Sequence, residues 1–78
     1  MPRLMYFSVV RERLGKSEED IDFRGTVEEL RKLLKERYPE VADVIDRVKF
    51  AVNEEYVEDS FLLEGKERVA IIPPVSGG

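Results

Sequence analysis

Apolar positions along the chain change period several times, and each change marks an element. Leu4-Met5-Tyr6-Phe7 is a short, aromatic-rich run and predicts a strand, with Leu4 and Tyr6 on one face and Met5 and Phe7 on the other. Ser8 is placed to cap a short helical stretch over residues 9–14, and Gly15 stands where a helix stops. Ile21 and Phe23 alternate with Asp20, Asp22 and Arg24, which predicts a half-buried second strand paired with the first. Thr26-Val27-Glu28-Glu29 has the form of a capping box, and Val27, Leu30, Leu33 and Leu34 then recur at helical spacing. Arg31, Lys32, Lys35 and Glu36 are expected on the solvent side of that helix, and Pro39 ends it by Tyr38.

A further helical turn is expected over residues 40–47, with Val41, Val44 and Ile45 inward. Val48, Phe50 and Val52 alternate with Lys49 and Ala51 as a third strand, Asn53-Glu54-Glu55 turns the chain, and Tyr56-Val57 starts a short fourth. Phe61-Leu62-Leu63 is apolar, and the residues from Glu64 to Glu67 turn again. Val69-Ala70-Ile71-Ile72 is β-branched and predicts a well-buried strand, ended by Pro73-Pro74, which cannot donate to a ladder. The order is strand, strand, helix, then three strands. It predicts an α+β fold with a mixed sheet wrapped over one main helix, the order of the β-grasp fold of ubiquitin. The expected division is a domain over residues 1–72 and a flexible tail over 73–78.

Composition narrows the function. At 78 residues the chain is a single domain. Its formal net charge of −4 argues against nucleic-acid binding and suits a protein that meets basic pockets on partners. Without cysteine or histidine it lacks thiol chemistry, the commonest general base and the commonest metal ligand. No apolar run approaches the ~20 residues of a membrane span, and residues 1–3 do not begin a signal peptide, so the expected location is cytoplasmic.

No catalytic set emerges. Ser8, Ser17, Ser60 and Ser76 stand in cap and turn contexts with no histidine to activate them. Glu54, Glu55, Glu58 and Asp59 lack the spacing of a calcium loop and read as a solvated turn, so no metal site is expected. Gly77-Gly78 precedes no helix and cannot cradle a nucleotide.

The tail, Pro73-Pro74-Val75-Ser76-Gly77-Gly78, is the remaining candidate. Two prolines pre-extend the chain, six residues reach roughly 20 Å, and the last two have no Cβ to obstruct entry into a narrow slot. A carboxylate on such an arm suits delivery of an acyl group into a partner's buried site. Taken alone, the same residues also fit a frayed terminus with a chance Gly-Gly, and on that evidence the plainer reading has the better claim.

The chain resembles the small subunit of molybdopterin synthase, the MoaD-type sulfur carriers, over nearly its whole length. The landmarks are Leu4-Met5-Tyr6-Phe7-Ser8-Val9-Val10-Arg11-Glu12, Thr26-Val27-Glu28-Glu29-Leu30, Ala51-Val52-Asn53 and the stretch from Gly65 to Gly78. The Pro-Pro-Val-Ser-Gly-Gly ending is the most specific of them. The resemblance implies that Gly78 is adenylated and becomes a thiocarboxylate, while Gly77 allows the tail to thread. It implies no bound cofactor, with ATP used by a ubiquitin-activating-like adenylating enzyme. The implied partners are that enzyme, the large subunit of molybdopterin synthase and a sulfur donor protein. It also implies docking through Phe7, Tyr56 and Ile72, with Arg11 nearby and Pro73, Pro74 and Val75 leading into the partner. The chain departs from the family's habit at two of these positions, where an aromatic is common at Ile72 and an aliphatic at Tyr56. A thiazole-synthesis carrier, a modifier joined to lysines and a plain binding module are the alternative readings.

Overall fold

Alternating burial runs through β1 (Arg3–Tyr6), where Leu4 and Tyr6 are buried and Met5 is half-exposed. The computed structural model describes residues 1–74; the expectations for Val75, Gly77 and Gly78 lie outside the described residues. Helix α1 (Ser8–Leu14) follows and ends at Gly15, which takes the left-handed conformation at φ 72°. The residue before the helix is Phe7, not the expected cap Ser8. Phe7 has the extended backbone of an N-cap, and its carbonyl accepts from the N–H groups of Val10 and Arg11. Ser8 itself sits at φ 53° and makes no capping bond.

The second strand, β2 (Glu18–Asp20), is earlier than the alternation of Ile21 and Phe23 predicts. Its antiparallel pairing runs from Met5↔Glu18 to Arg3↔Asp20. There the ladder meets Pro2, which has no N–H to offer. Ile21 still donates to the Pro2 carbonyl at 3.1 Å and is buried, but residues 21–24 have left the sheet.

Two residues, β3 (Gly25–Thr26), lead into α2 (Val27–Arg37). Both halves of the expected capping box form: Thr26 accepts from the Glu29 N–H at 3.1 Å, and Glu29 accepts from the Thr26 N–H at 2.8 Å. Val27, Leu30 and Leu34 are buried and Leu33 is half-buried. A 3-10 turn (Pro39–Val41) and α3 (Ala42–Ile45) then bury Val41, Val44 and Ile45. Strand β4 (Lys49–Val52) turns through Asn53-Glu54 into β5 (Glu55–Val57). Leu62 and Leu63 form β6 (Leu62–Leu63), absent from the expected strand order, and β7 (Arg68–Ile72) closes the fold.

Five strands make one mixed sheet in the order β2-β1-β7-β4-β5. The β1–β7 pair is parallel and the others antiparallel. β3 and β6 form a separate two-stranded ladder beside the N-terminus of α2. One face of the main sheet supplies Leu4, Tyr6, Phe50, Val52, Val69 and Ile71 to the core, which they share with Leu30 and Leu34 of α2. This is the β-grasp arrangement.

Arg31 does not face water as its helical position predicts. Its guanidinium donates to the carbonyls of Ile45 at 2.7 Å and Val48 at 3.1 Å, pairs with Asp59 at 2.8 Å and lies 4.9 Å from the Phe50 ring centroid. The approach to β4 carries carbonyls with no ladder partner, and a planar fork of donors is the side chain suited to collect them. Lys35, also expected in water, is half-buried and pairs with Asp46 at 2.6 Å.

Candidate docking face at the base of the tail

Strand β7 lies in the middle of the sheet, parallel to β1 on one side and antiparallel to β4 on the other. Its start is ordered by one carboxylate: Glu67 accepts from the backbone N–H groups of Glu64 at 2.8 Å and of Gly65 and Lys66 at 3.0 Å each. Burial would raise the Glu67 pKa, but those N–H groups outweigh it and hold the carboxyl below its ordinary value. Asn53 adds a second tether, accepting from the Arg68 N–H through its side-chain oxygen at 3.0 Å. The strand that leads to the tail therefore has a fixed register before it reaches Ile72.

Register defines the outer face. Met5, Ala70, Ala51 and Tyr56 stand opposite one another across four strands, and Ile72 stands opposite Lys49 in the next row. Alternation puts these side chains on the side away from the core. The small Ala70 and Ala51 keep the middle of the face low, with Met5 and Tyr56 rising on either side. Tyr56 is 68% exposed, a high value for a large aromatic.

The structure brings four of the expected partner-binding residues together. Tyr56, Ile72, Pro73 and Pro74 line one cavity of about 230 Å³, with Lys49 as the fifth wall. Ile72 is half-buried, Pro74 is exposed, and Pro73 is buried, so the extension begins packed against the body. Phe7 follows directly after the Tyr6↔Ile71 pair, at the same end of the sheet, and is 40% exposed. Arg11, exposed on α1, does not line the cavity. Lys49 was not singled out from the sequence. Its alternation with Val48 and Phe50 shows that it points outward, but its place beside Ile72 depends on the β4–β7 pairing.

Among the described residues no three His, Cys, Asp or Glu side chains converge as a metal site would require, and no helix is long and apolar enough to cross a membrane. Asp59, one of the acidic cluster, is held by Arg31. The face offers shape, apolar surface and a positive charge.

A mixed five-stranded sheet over one main helix, with its central strand leading to a Gly-Gly terminus, defines a ubiquitin-like protein of the β-grasp class. A family model described as the ThiS family matches residues 4–78, and the chain belongs to that family. It is 35% identical over 80 residues to the molybdopterin synthase sulfur carrier subunit of Caenorhabditis briggsae, covering 97% of this chain and 95% of that one. Its fold matches the solved structure of a candidate molybdopterin converting factor subunit 1 from Pyrococcus furiosus. The TM-score is 0.83 and the identity 27%, over 95% of this chain and 97% of that one. The fold is also that of a chain in the complex of subunits 1 and 2 of molybdopterin-converting factor from Helicobacter pylori, at TM-score 0.72 and 19% identity, over 99% and 97% of the two chains.

Proposed function

We propose that this chain is a sulfur carrier acting as the small subunit of molybdopterin synthase. The observation that carries the reading is that the family match continues to residue 78, through the Gly-Gly pair. The chemistry follows from the terminal group. An α-carboxyl has a pKa of about 3.5, so at neutral pH Gly78 ends in an anion and is a poor electrophile. A ubiquitin-activating-like enzyme joins it to AMP from ATP, forming a mixed anhydride with a good leaving group. Sulfide-level sulfur from a donor protein displaces AMP as the leaving group and leaves a thiocarboxylate. Inside the large subunit that sulfur forms a C–S bond to the pterin precursor, and water cleaves its bond to the Gly78 acyl carbon, returning the carboxylate; repetition with a second carrier completes the dithiolene. Gly77 and Gly78 give the arm its narrow end. The outer face holds the body against each partner, and the reactive side chains belong to the partners, so the chain has no activity of its own. Its steps take place among soluble partners in the cytoplasm.

Intact mass after incubation with the cognate adenylating enzyme, ATP and sulfide tests this. The expected rise is about 16 Da, one oxygen replaced by sulfur at an activated carboxyl. An unchanged mass, in a preparation where the enzyme converts another carrier, overturns it.

A further inference from the structure

Lys49 is the one cation in the wall of the cavity at the base of the tail; Tyr56, Ile72, Pro73 and Pro74 supply the rest. It projects from β4, directly opposite Ile72, and is exposed. Of the 13 Lys and Arg side chains, Arg3, Arg13, Lys16, Arg31, Lys35 and Arg37 have a carboxylate within 4.0 Å, and Lys49 is one of the seven that form no ion pair among the described residues. Glu58 follows β5 on the neighbouring strand and shares a groove with Lys49, yet the two do not pair. Lysine often guards the free edge of a sheet, but β4 is an interior strand between β7 and β5 and has no edge to guard.

We propose that Lys49 is a specificity-determining residue of the docking face. Its ammonium meets a carboxylate of the protein that receives the tail, beside an apolar side chain of that protein seated between Tyr56 and Ile72. This rests on the carrier reading above. Two observations commit the cavity to that occupant. Pro73 and Pro74 are themselves part of the cavity wall and lead into the tail, so a protein that takes up the tail lies over this part of the surface. The cavity is largely apolar with a single positive rim, so its complement is an apolar side chain flanked by an acid. The pairing sets where Pro73-Pro74 starts and therefore the depth to which Gly78 enters.

The test is association of the full chain with its cognate tail-receiving subunit, measured by stopped flow and equilibrium titration at low and high salt. Lys49→Glu is expected to weaken binding by about ten- to a hundred-fold, because it sets two like charges against each other. Lys49→Met keeps most of the aliphatic stem and is expected to weaken it by about three- to ten-fold, with a flatter salt dependence, while Lys49→Arg restores affinity and salt slope together. Thermal unfolding of each variant separates loss of docking from loss of fold, and Lys49→Met serves if the reversed charge unfolds the chain. Glu and Met variants that bind like the parent with the same salt slope overturn the assignment and leave the carrier reading intact. A Met variant that self-associates at unchanged affinity also overturns it, since Lys49 would then be guarding solubility. A parent chain that fails to bind the subunit removes the carrier reading and this inference with it.

Discussion

Tyr38 meets Tyr6 edge-on, with ring centroids 6.5 Å apart and planes at 85°, and both hydroxyls donate to the same oxygen of Glu19. Lys16 and Arg37 approach the other oxygen at 3.4 and 3.9 Å. The cluster ties β2 to β1 and to the C-terminal end of α2. Burial would raise the Glu19 pKa, but the hydrogen bonds from Tyr38 and Tyr6 and the charge of Lys16 prevail, so it lies below the ordinary value. Burial and the bond to Glu19 push the Tyr6 hydroxyl far above its ordinary range, so it remains a donor.

A carboxyl whose pKa is lower in the folded than in the unfolded chain adds stability above the unfolded value. That stability is lost as pH falls through the folded value. Glu19 therefore supports the fold at neutral pH, and its contribution declines below about pH 4.5, the ordinary value. Glu19→Gln is expected to cost about 1–3 kcal/mol at pH 7, with the difference from the parent shrinking toward pH 3. Urea unfolding across that range checks it. A gap that stays constant with pH would rule out Glu19 as the titrating group.

Arg31 gives a second stability test. Removing its guanidinium strands the carbonyls of Ile45 and Val48, both within hydrogen-bond distance, and exposes the Phe50 ring it covers. Arg31→Met is expected to cost about 1.5–3 kcal/mol, the range for hydrogen bonds to a charged group. Arg31→Lys recovers only part, because an ammonium cannot span both carbonyls and Asp59 in one plane. The urea midpoints of the three proteins decide the matter; full recovery by lysine would mean that charge alone is needed.

The elements legible in the sequence are those whose signal is local. The capping box at Thr26 and Glu29 needs only four residues, and the alternation from Leu4 to Phe7 assigns faces by parity. The misplaced second strand illustrates the opposite case. Ile21 alternates and is buried, but the end of its ladder is set by Pro2, nineteen positions earlier in the chain. Arg31 reads as a surface residue from its helical position, because the carbonyls it serves belong to a distant segment. The outer face of the sheet divides the same way. Tyr56 and Ile72 follow from resemblance and parity, whereas Lys49 gains its meaning only when β4 and β7 lie side by side.

The β4–β5 turn holds removable strain. Asn53 and Glu54 sit at φ 49° and 73°, both positive, as a two-residue hairpin turn of the primed type requires. Asparagine tolerates this conformation, but glutamate pays about 1–2 kcal/mol for it. Glu54→Gly is expected to raise stability by up to about 1 kcal/mol, after the greater unfolded-state freedom of glycine is subtracted. A melting temperature that falls would show that the Glu54 side chain contributes more than its backbone costs.

Leu30 and Phe7 separate folding from docking. Leu30 is fully buried against the sheet, and Leu30→Ala is expected to cost about 2–5 kcal/mol, the range for truncating a leucine in a packed core. Phe7 is 40% exposed beside the outer face, and Phe7→Ala is expected to cost less than about 1 kcal/mol of stability while weakening partner binding at least ten-fold, as loss of an aromatic anchor does. Chemical denaturation and titration with the partner, run on both variants, read the two effects separately. A Phe7→Ala chain that loses several kcal/mol yet binds normally would place Phe7 in the core and move the docking face elsewhere. A Leu30→Ala chain of unchanged stability would mean that the helix and sheet do not meet through that side chain.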